Sequence, residues 1–198
     1  MGNKRLIMMI EASFFAAFAL ILDLLPSIKL SPSISISFAM VPILIIAFRW
    51  GFVAATASGF LWGLLQIAMG DAYILTPLQA FIEYFLAFAF IGFAGFFMKK
   101  IQVALTENKK KALQWIIVAT FVGSAARYFW HFIAGFLFWG EYAPDGMSPF
   151  LFSLGVNGGT MIGAAIYCSV ILFLLVSSSP RFLLHKRVSS PETLKKIS

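Results

Sequence analysis

Long apolar runs separated by short polar breaks dominate this chain. The first covers residues 5–25, follows Lys4 and Arg5, and closes on Leu24-Leu25-Pro26-Ser27. A secretory signal would carry a shorter apolar region ending at a small-x-small cleavage site, so this run is expected to stay as a first helix. Residues 26–37 alternate Ile and Ser around Pro32 and read as a loop, partly extended. Further apolar runs cover residues 38–49, 52–69, 77–97, 112–138 and 149–176. Arg49-Trp50-Gly51 and Gly70-Asp71-Ala72 mark turns, and residues 99–111 read as a basic linker. Thr76-Pro77 and Ser148-Pro149 each set a capping hydroxyl before a proline at the first helical position. The pattern predicts an all-α integral membrane protein, one domain over residues 1–198 with six transmembrane helices.

The charges follow the same plan. Six spans leave both termini on one side. Lys4, Arg5, Arg49, Lys99, Lys100, Lys109, Lys110, Lys111, Arg181, Lys186, Arg187, Lys195 and Lys196 all fall there, while Lys29 stands alone on the other side and Arg127 lies within a helix. By the positive-inside rule both termini are cytoplasmic. The same asymmetry accounts for the net charge of +7 without nucleic acid as a partner. Composition agrees with a lipid environment: 61% of residues are hydrophobic and 12% charged, against about a quarter charged in a soluble domain. Cys168 is the single cysteine, so no internal disulfide supports the fold.

Polar residues inside such runs cost free energy unless satisfied, and so point to a site. Glu83 lies roughly 9 Å below Pro77, His131 roughly 12 Å below Trp139, and Asn157 roughly 12 Å below Pro149, at 1.5 Å rise per residue. Three helices thus bring polar groups to one level in the outer third of the membrane. An ionised Glu at the centre of a span costs about 2.5–3.5 kcal/mol on insertion scales, which a cationic ligand would relieve. Aromatic faces add cation–π contact of about 0.5–2 kcal/mol each. His131, Gly135 and Trp139 step four residues apart along one helix and share a broad face, with Gly135 leaving a notch between two rings. Asn157 both donates and accepts, which suits the edge of a heterocycle. These residues favour a flat, nitrogenous, cationic ligand entering from outside.

Ordinary explanations compete for several of them. His131 alone fits a hydrogen-bonded core histidine, and Trp139, Tyr73, Tyr84 and Tyr142 fit interfacial belt positions. Gly155 to Gly159 read as close helix packing, and His185 as a tail residue. Arg127 lies four residues deeper than His131, with no partner evident in the sequence. Ala12 and Ala16, beside Ser13 and Ala17, form a flat strip suited to close helix contact, within the bundle or with another chain. No Gly-x4-Gly-Lys-Ser/Thr loop and no His-Glu-x-x-His motif occur, and no nucleophile–base pair stands out. The expectation is a ligand-capturing protein that is not an enzyme, has no metal site or cofactor, and depends on a partner for energy. A membrane enzyme using Glu83 and His131 as acid and base, or a purely structural subunit, stands as the rival reading.

Glu83-Tyr84, the His131-x3-Gly135-x3-Trp139 ladder, the Gly140-Glu141-Tyr142 loop and Asn157 together resemble the thiamine-binding S components of energy-coupling factor (ECF) transporters, the ThiT family. The resemblance runs over all six spans. It implies an S-component-like bundle in the plasma membrane of a prokaryote, with an outward-facing, high-affinity thiamine site. Glu83 and Trp139 would embrace the thiazolium cation. His131, Tyr84 and Asn157 would hold the aminopyrimidine, Gly135 would line the notch, and Tyr73 would sit near the mouth. The first loop, residues 26–37, would act as a lid. Ala12 and Ala16 would dock on a membrane-embedded T component, itself coupled to two ATPase subunits. One departure stands out: the resemblance leads one to expect Tyr five residues before the Asn, and Phe152 is there. An S component for another vitamin is the alternative within the same architecture.

Overall fold

The computed structural model describes residues 2–24, 28–31 and 34–184. His185, Lys186, Arg187, Lys195 and Lys196 of the tail, and Pro26 and Pro32 of the expected lid, lie outside the described residues. Among those described, six helices follow one another: α1 (Gly2–Asp23), α2 (Val41–Trp50), α3 (Phe52–Ala68), α4 (Pro77–Glu107), α5 (Lys109–Phe138) and α6 (Pro149–Ser178). Strands β1 (Ile28–Ser31) and β2 (Ile34–Ile36) pair antiparallel between α1 and α2. Helices α1, α4, α5 and α6 are long and apolar enough to cross a membrane.

Local chemistry sets the helix starts. Thr76 Oγ1 accepts the Gln79 N–H at 3.1 Å ahead of Pro77, and Ser148 Oγ accepts the Leu151 N–H at 3.3 Å ahead of Pro149. A third cap corrects the expected linker over residues 99–111. Helix α4 runs on to Glu107, Asn108 takes an extended conformation (φ −151°, ψ 101°), and its Oδ1 caps Lys111 at 3.0 Å. Lysines are good helix formers, so a basic run is no loop where a single Asn makes the turn.

Helix α2 is the shortest of the six. It has ten residues, about 15 Å, half the hydrocarbon thickness of about 30 Å. Val41 to Phe48 are all buried, so its apolarity reflects enclosure by protein rather than contact with lipid. The extended hairpin ahead of it reaches into the bundle: β2 packs on α6, and the Phe38 ring lies 5.8 Å from Tyr167. Non-helical backbone is tolerated at that depth only when protein surrounds it.

The alanine strip of α1 takes the first of its two expected roles, contact within the bundle. Ala12 and Ala16 are buried, and Ser58 Oγ of α3 donates to the Ala12 carbonyl at 2.7 Å. Ala12 and Ala16 therefore make an internal α1–α3 contact, while Ser13 and Ala17 beside them stay exposed. Small residues also draw α3 onto α4, where a side chain on Gly63 would collide with the Tyr84 carbonyl. Gly155 and Gly158, expected at a close helix contact, face open space instead.

At the basic end, Arg49 clamps three segments together. Its Nε and Nη2 each donate to Glu11 at 2.9 Å, and its Nη1 donates to the carbonyls of Phe182 (2.6 Å) and Leu184 (3.3 Å). Trp50 Nε1 donates to the same Glu11 carboxylate at 2.7 Å.

Candidate functional site

The candidate site begins with a distortion of α4. After one α-helical turn the backbone widens into a π-helical segment, Phe81–Leu86, and further down it tightens to 3-10 geometry over Ile91–Phe97. Widened turns of this kind recur at functional sites because they re-aim the side chains they carry. This one carries Glu83 and Tyr84.

Glu83 points into a cavity of about 270 Å³ between α4, α5 and α6, lined by Glu83, His131, Gly135, Trp139, Tyr142, Phe152, Ser153, Val156 and Asn157. Glu83 Oε1 accepts Trp139 Nε1–H at 3.0 Å, and Oε2 accepts from Gln79 Nε2. Gln79, one helical turn before it, is fully buried; its Oε1 accepts the Leu75 N–H at 3.0 Å and its Nε2 reaches the Tyr73 carbonyl at 3.2 Å. The carboxylate is thus held in place from two sides while one face stays open to the cavity. No Lys or Arg is among the lining residues.

On α5, His131 Nε2 accepts from Arg127 Nε at 3.4 Å, so the neutral imidazole carries its proton on Nδ1. Arg127, without a visible partner in the sequence, stacks over the rings of Phe88 (4.4 Å), Trp62 (4.9 Å) and Tyr128 (5.5 Å) and lies in electrostatic range of Asp23. On α6, Asn157 Nδ2 donates to both the carbonyl and Oγ of Ser153, each at 3.1 Å. A backbone carbonyl accepts only, which fixes the amide orientation: Nδ2 is occupied and Oδ1 remains as the acceptor. Ser153 Oγ in turn donates to the Phe132 carbonyl of α5 at 2.8 Å. Gly135 lies where these helices meet. A Cβ there would collide with Ser153 Oγ and come within 3.0 Å of Asn157 Nδ2, so its notch is largely filled by α6.

Five of the seven residues picked out from the sequence therefore line one cavity: Glu83, His131, Gly135, Trp139 and Asn157. The other two, Tyr84 and Tyr73, are not among its lining residues. Tyr84 turns its hydroxyl to accept the Tyr73 N–H at 2.8 Å, bracing the loop before α4. Tyr73 is exposed, its ring 5.3 Å from Trp139, and it sits beside Tyr142, whose ring is 5.5 Å from the same indole. Next to Glu141 and Tyr73, the Tyr142 phenol is pushed above its ordinary range, mainly by Tyr73. The sequence reading missed Gln79 and Ser153. Each lies one turn before a chosen polar residue, and that i, i+4 spacing was the available signal.

Six helices with a polar cavity between α4, α5 and α6 form the fold of a membrane-embedded S component. The arrangement is similar to a solved S component for biotin from an ECF-type ABC transporter (TM-score 0.51, 22% identity, covering 89% of this chain and 94% of that one), a likeness of fold alone. Sequence narrows the class: the chain belongs to the Thiamine transporter protein family, which it matches over residues 9–184. It is 38% identical over 184 residues to the thiamine transporter ThiT of Bacillus subtilis, covering 91% of this chain and 96% of that protein. With ThiT of Lacticaseibacillus paracasei it shares 34% identity over 188 residues, or 93% and 94% of the two chains. A solved structure of ThiT from Listeria monocytogenes superposes with a TM-score of 0.89 at 45% identity, covering 92% of this chain and all of that one. This is a bacterial family of multi-pass membrane transporters, and the enzyme reading of Glu83 and His131 falls with that assignment.

Proposed function

We propose that the cavity captures thiamine from outside the cell with high affinity, and that the chain is the S component of an ECF transporter whose partner subunits hydrolyse ATP. One observation carries the reading: a single carboxylate, hydrogen-bonded to an indole, faces a small aromatic cavity with no Lys or Arg in its wall. That environment favours a compact aromatic cation. The names of the relatives supply the candidate, thiamine.

In this reading the thiazolium lies between Glu83 and Trp139. The aminopyrimidine donates its amino group to Asn157 Oδ1, the acceptor left open there, while its ring nitrogen accepts from His131 Nδ1–H. Tyr73 and Tyr142 close over the mouth, and Tyr84 acts through Tyr73 rather than by touching the ligand. Phe152 leaves the wall without the hydroxyl expected at that position, so the ligand gains apolar contact there and no hydrogen bond.

Titrating thiamine into the detergent-purified protein tests the proposal. Expected are saturable binding heat with one-to-one stoichiometry and quenching of Trp fluorescence that Trp139→Phe largely abolishes. Absence of both heat and quenching overturns it.

A further inference from the structure

At the opposite end of the molecule, α4 and α5 enclose a second groove of about 400 Å³, lined by Lys99, Lys100, Val103, Ala104, Glu107, Lys111 and Trp115. Three lysines and one carboxylate leave its wall positive. Among the described residues none of these lysines forms an ion pair. Lys100 Nζ sits 4.3 Å from the centre of the Trp115 ring and 6.0 Å from that of Phe97. Val103, Ala104 and Trp115 make the remaining wall apolar.

The depth of this groove matters. Lys100 lies about 34 Å along α4 from Pro77, and Trp115 about 34 Å along α5 from Phe138, just beyond a hydrocarbon core of about 30 Å. The positive-inside rule puts this end at the cytoplasm. The groove is also rigidly backed. Gln102, on the inner face of α4, is buried and donates to the carbonyls of Phe48 (2.7 Å) and Leu183 (2.9 Å). Lys100 and Trp115 lie at headgroup level, and Val103 and Ala104 lie about 5 Å further toward the cytoplasm, so a lipid phosphate can meet the lysines with its glycerol edge against the indole.

We infer that this groove is a binding site for the headgroup of an anionic phospholipid of the cytoplasmic leaflet, its phosphate held by Lys99, Lys100 and Lys111 and its glycerol edge lying against Trp115. Juxtamembrane lysines attract anionic headgroups strongly enough for each to change retention about fivefold.

Native mass spectrometry of the intact chain, released from mixed micelles with equal phosphatidylglycerol and phosphatidylcholine, tests the inference. The unaltered protein should retain phosphatidylglycerol preferentially. Joint substitution of Lys99, Lys100 and Lys111 by Gln should bring the ratio close to one, whereas Lys4→Gln with Arg5→Gln should leave it unchanged. Glu107→Gln removes the only carboxylate of the groove and should raise the preference about fivefold, a gain that misfolding would not produce. An unchanged ratio in the triple variant, or no gain in Glu107→Gln, overturns the site. Displacement of phosphatidylglycerol by millimolar inorganic phosphate assigns the groove to free anions and overturns the lipid reading.

Discussion

Replacing Glu83 by Gln separates the charge of the site from its shape. Glu83 now accepts two donors, Trp139 Nε1 on one oxygen and Gln79 Nε2 on the other. A Gln side chain has a single acceptor oxygen, so one of these donors loses its partner. That loss destabilises the protein by about 1–3 kcal/mol whether or not ligand is bound, and should appear as a lower Tm in detergent. The charge term is different. A thiazolium about 4–6 Å from the carboxylate, at an effective dielectric near 20, gains about 3–4 kcal/mol. Thiamine affinity should therefore fall roughly 100- to 1000-fold. An uncharged isostere with a neutral ring in place of the thiazolium should lose less than about tenfold, because only the rearranged hydrogen bonds affect it. Calorimetric titration of both ligands into both proteins is the assay. Equal losses for the two ligands would refute the assignment of Glu83 as counter-ion.

Three further outcomes are expected. Gly135→Ala forces a methyl group onto Ser153 Oγ, so it should lower stability by about 1–3 kcal/mol and weaken thiamine binding, and Ser153→Gly in the same chain should restore part of both, as read by thermal unfolding and titration. Arg49→Ala removes the clamp on Glu11, Phe182 and Leu184; because the pair is partly exposed, the loss should be about 1–3 kcal/mol, seen as a lower Tm with thiamine affinity unchanged. Asn108→Ala deletes the cap of α5 and should cost about 1 kcal/mol, whereas Asn108→Asp, which keeps a capping oxygen, should cost markedly less.

Much of the architecture was open to sequence reasoning because lipid imposes a strong rule. A chain crossing hydrocarbon must satisfy its backbone internally, so each crossing leaves an apolar run of helical length. Thr76-Pro77 and Ser148-Pro149 fixed two helix starts to the residue, and both caps form as expected. The level shared by Glu83, His131 and Asn157 was also legible, since rise per residue converts position into depth. Composition alone was ambiguous at two places. Residues 38–49 are apolar because protein buries α2, not because lipid surrounds it. Ala12 and Ala16 are small because α3 lies against them, a contact that looks the same in sequence whether the neighbour is this chain or another.

By itself, then, the sequence determined the class, the gathering of basic residues at one end and the depth at which polar groups collect, all of which depend on one residue at a time or on helical spacing. Only tertiary structure decided how those groups face each other. The π-helical turn that aims Glu83, the buried Gln79 behind it and the Ser153 anchor that leaves Asn157 with a free acceptor depend on helices packed side by side. Hydrogen-bond geometry between separate helices is set to within tenths of an ångström by packing, and no periodicity along one helix encodes it.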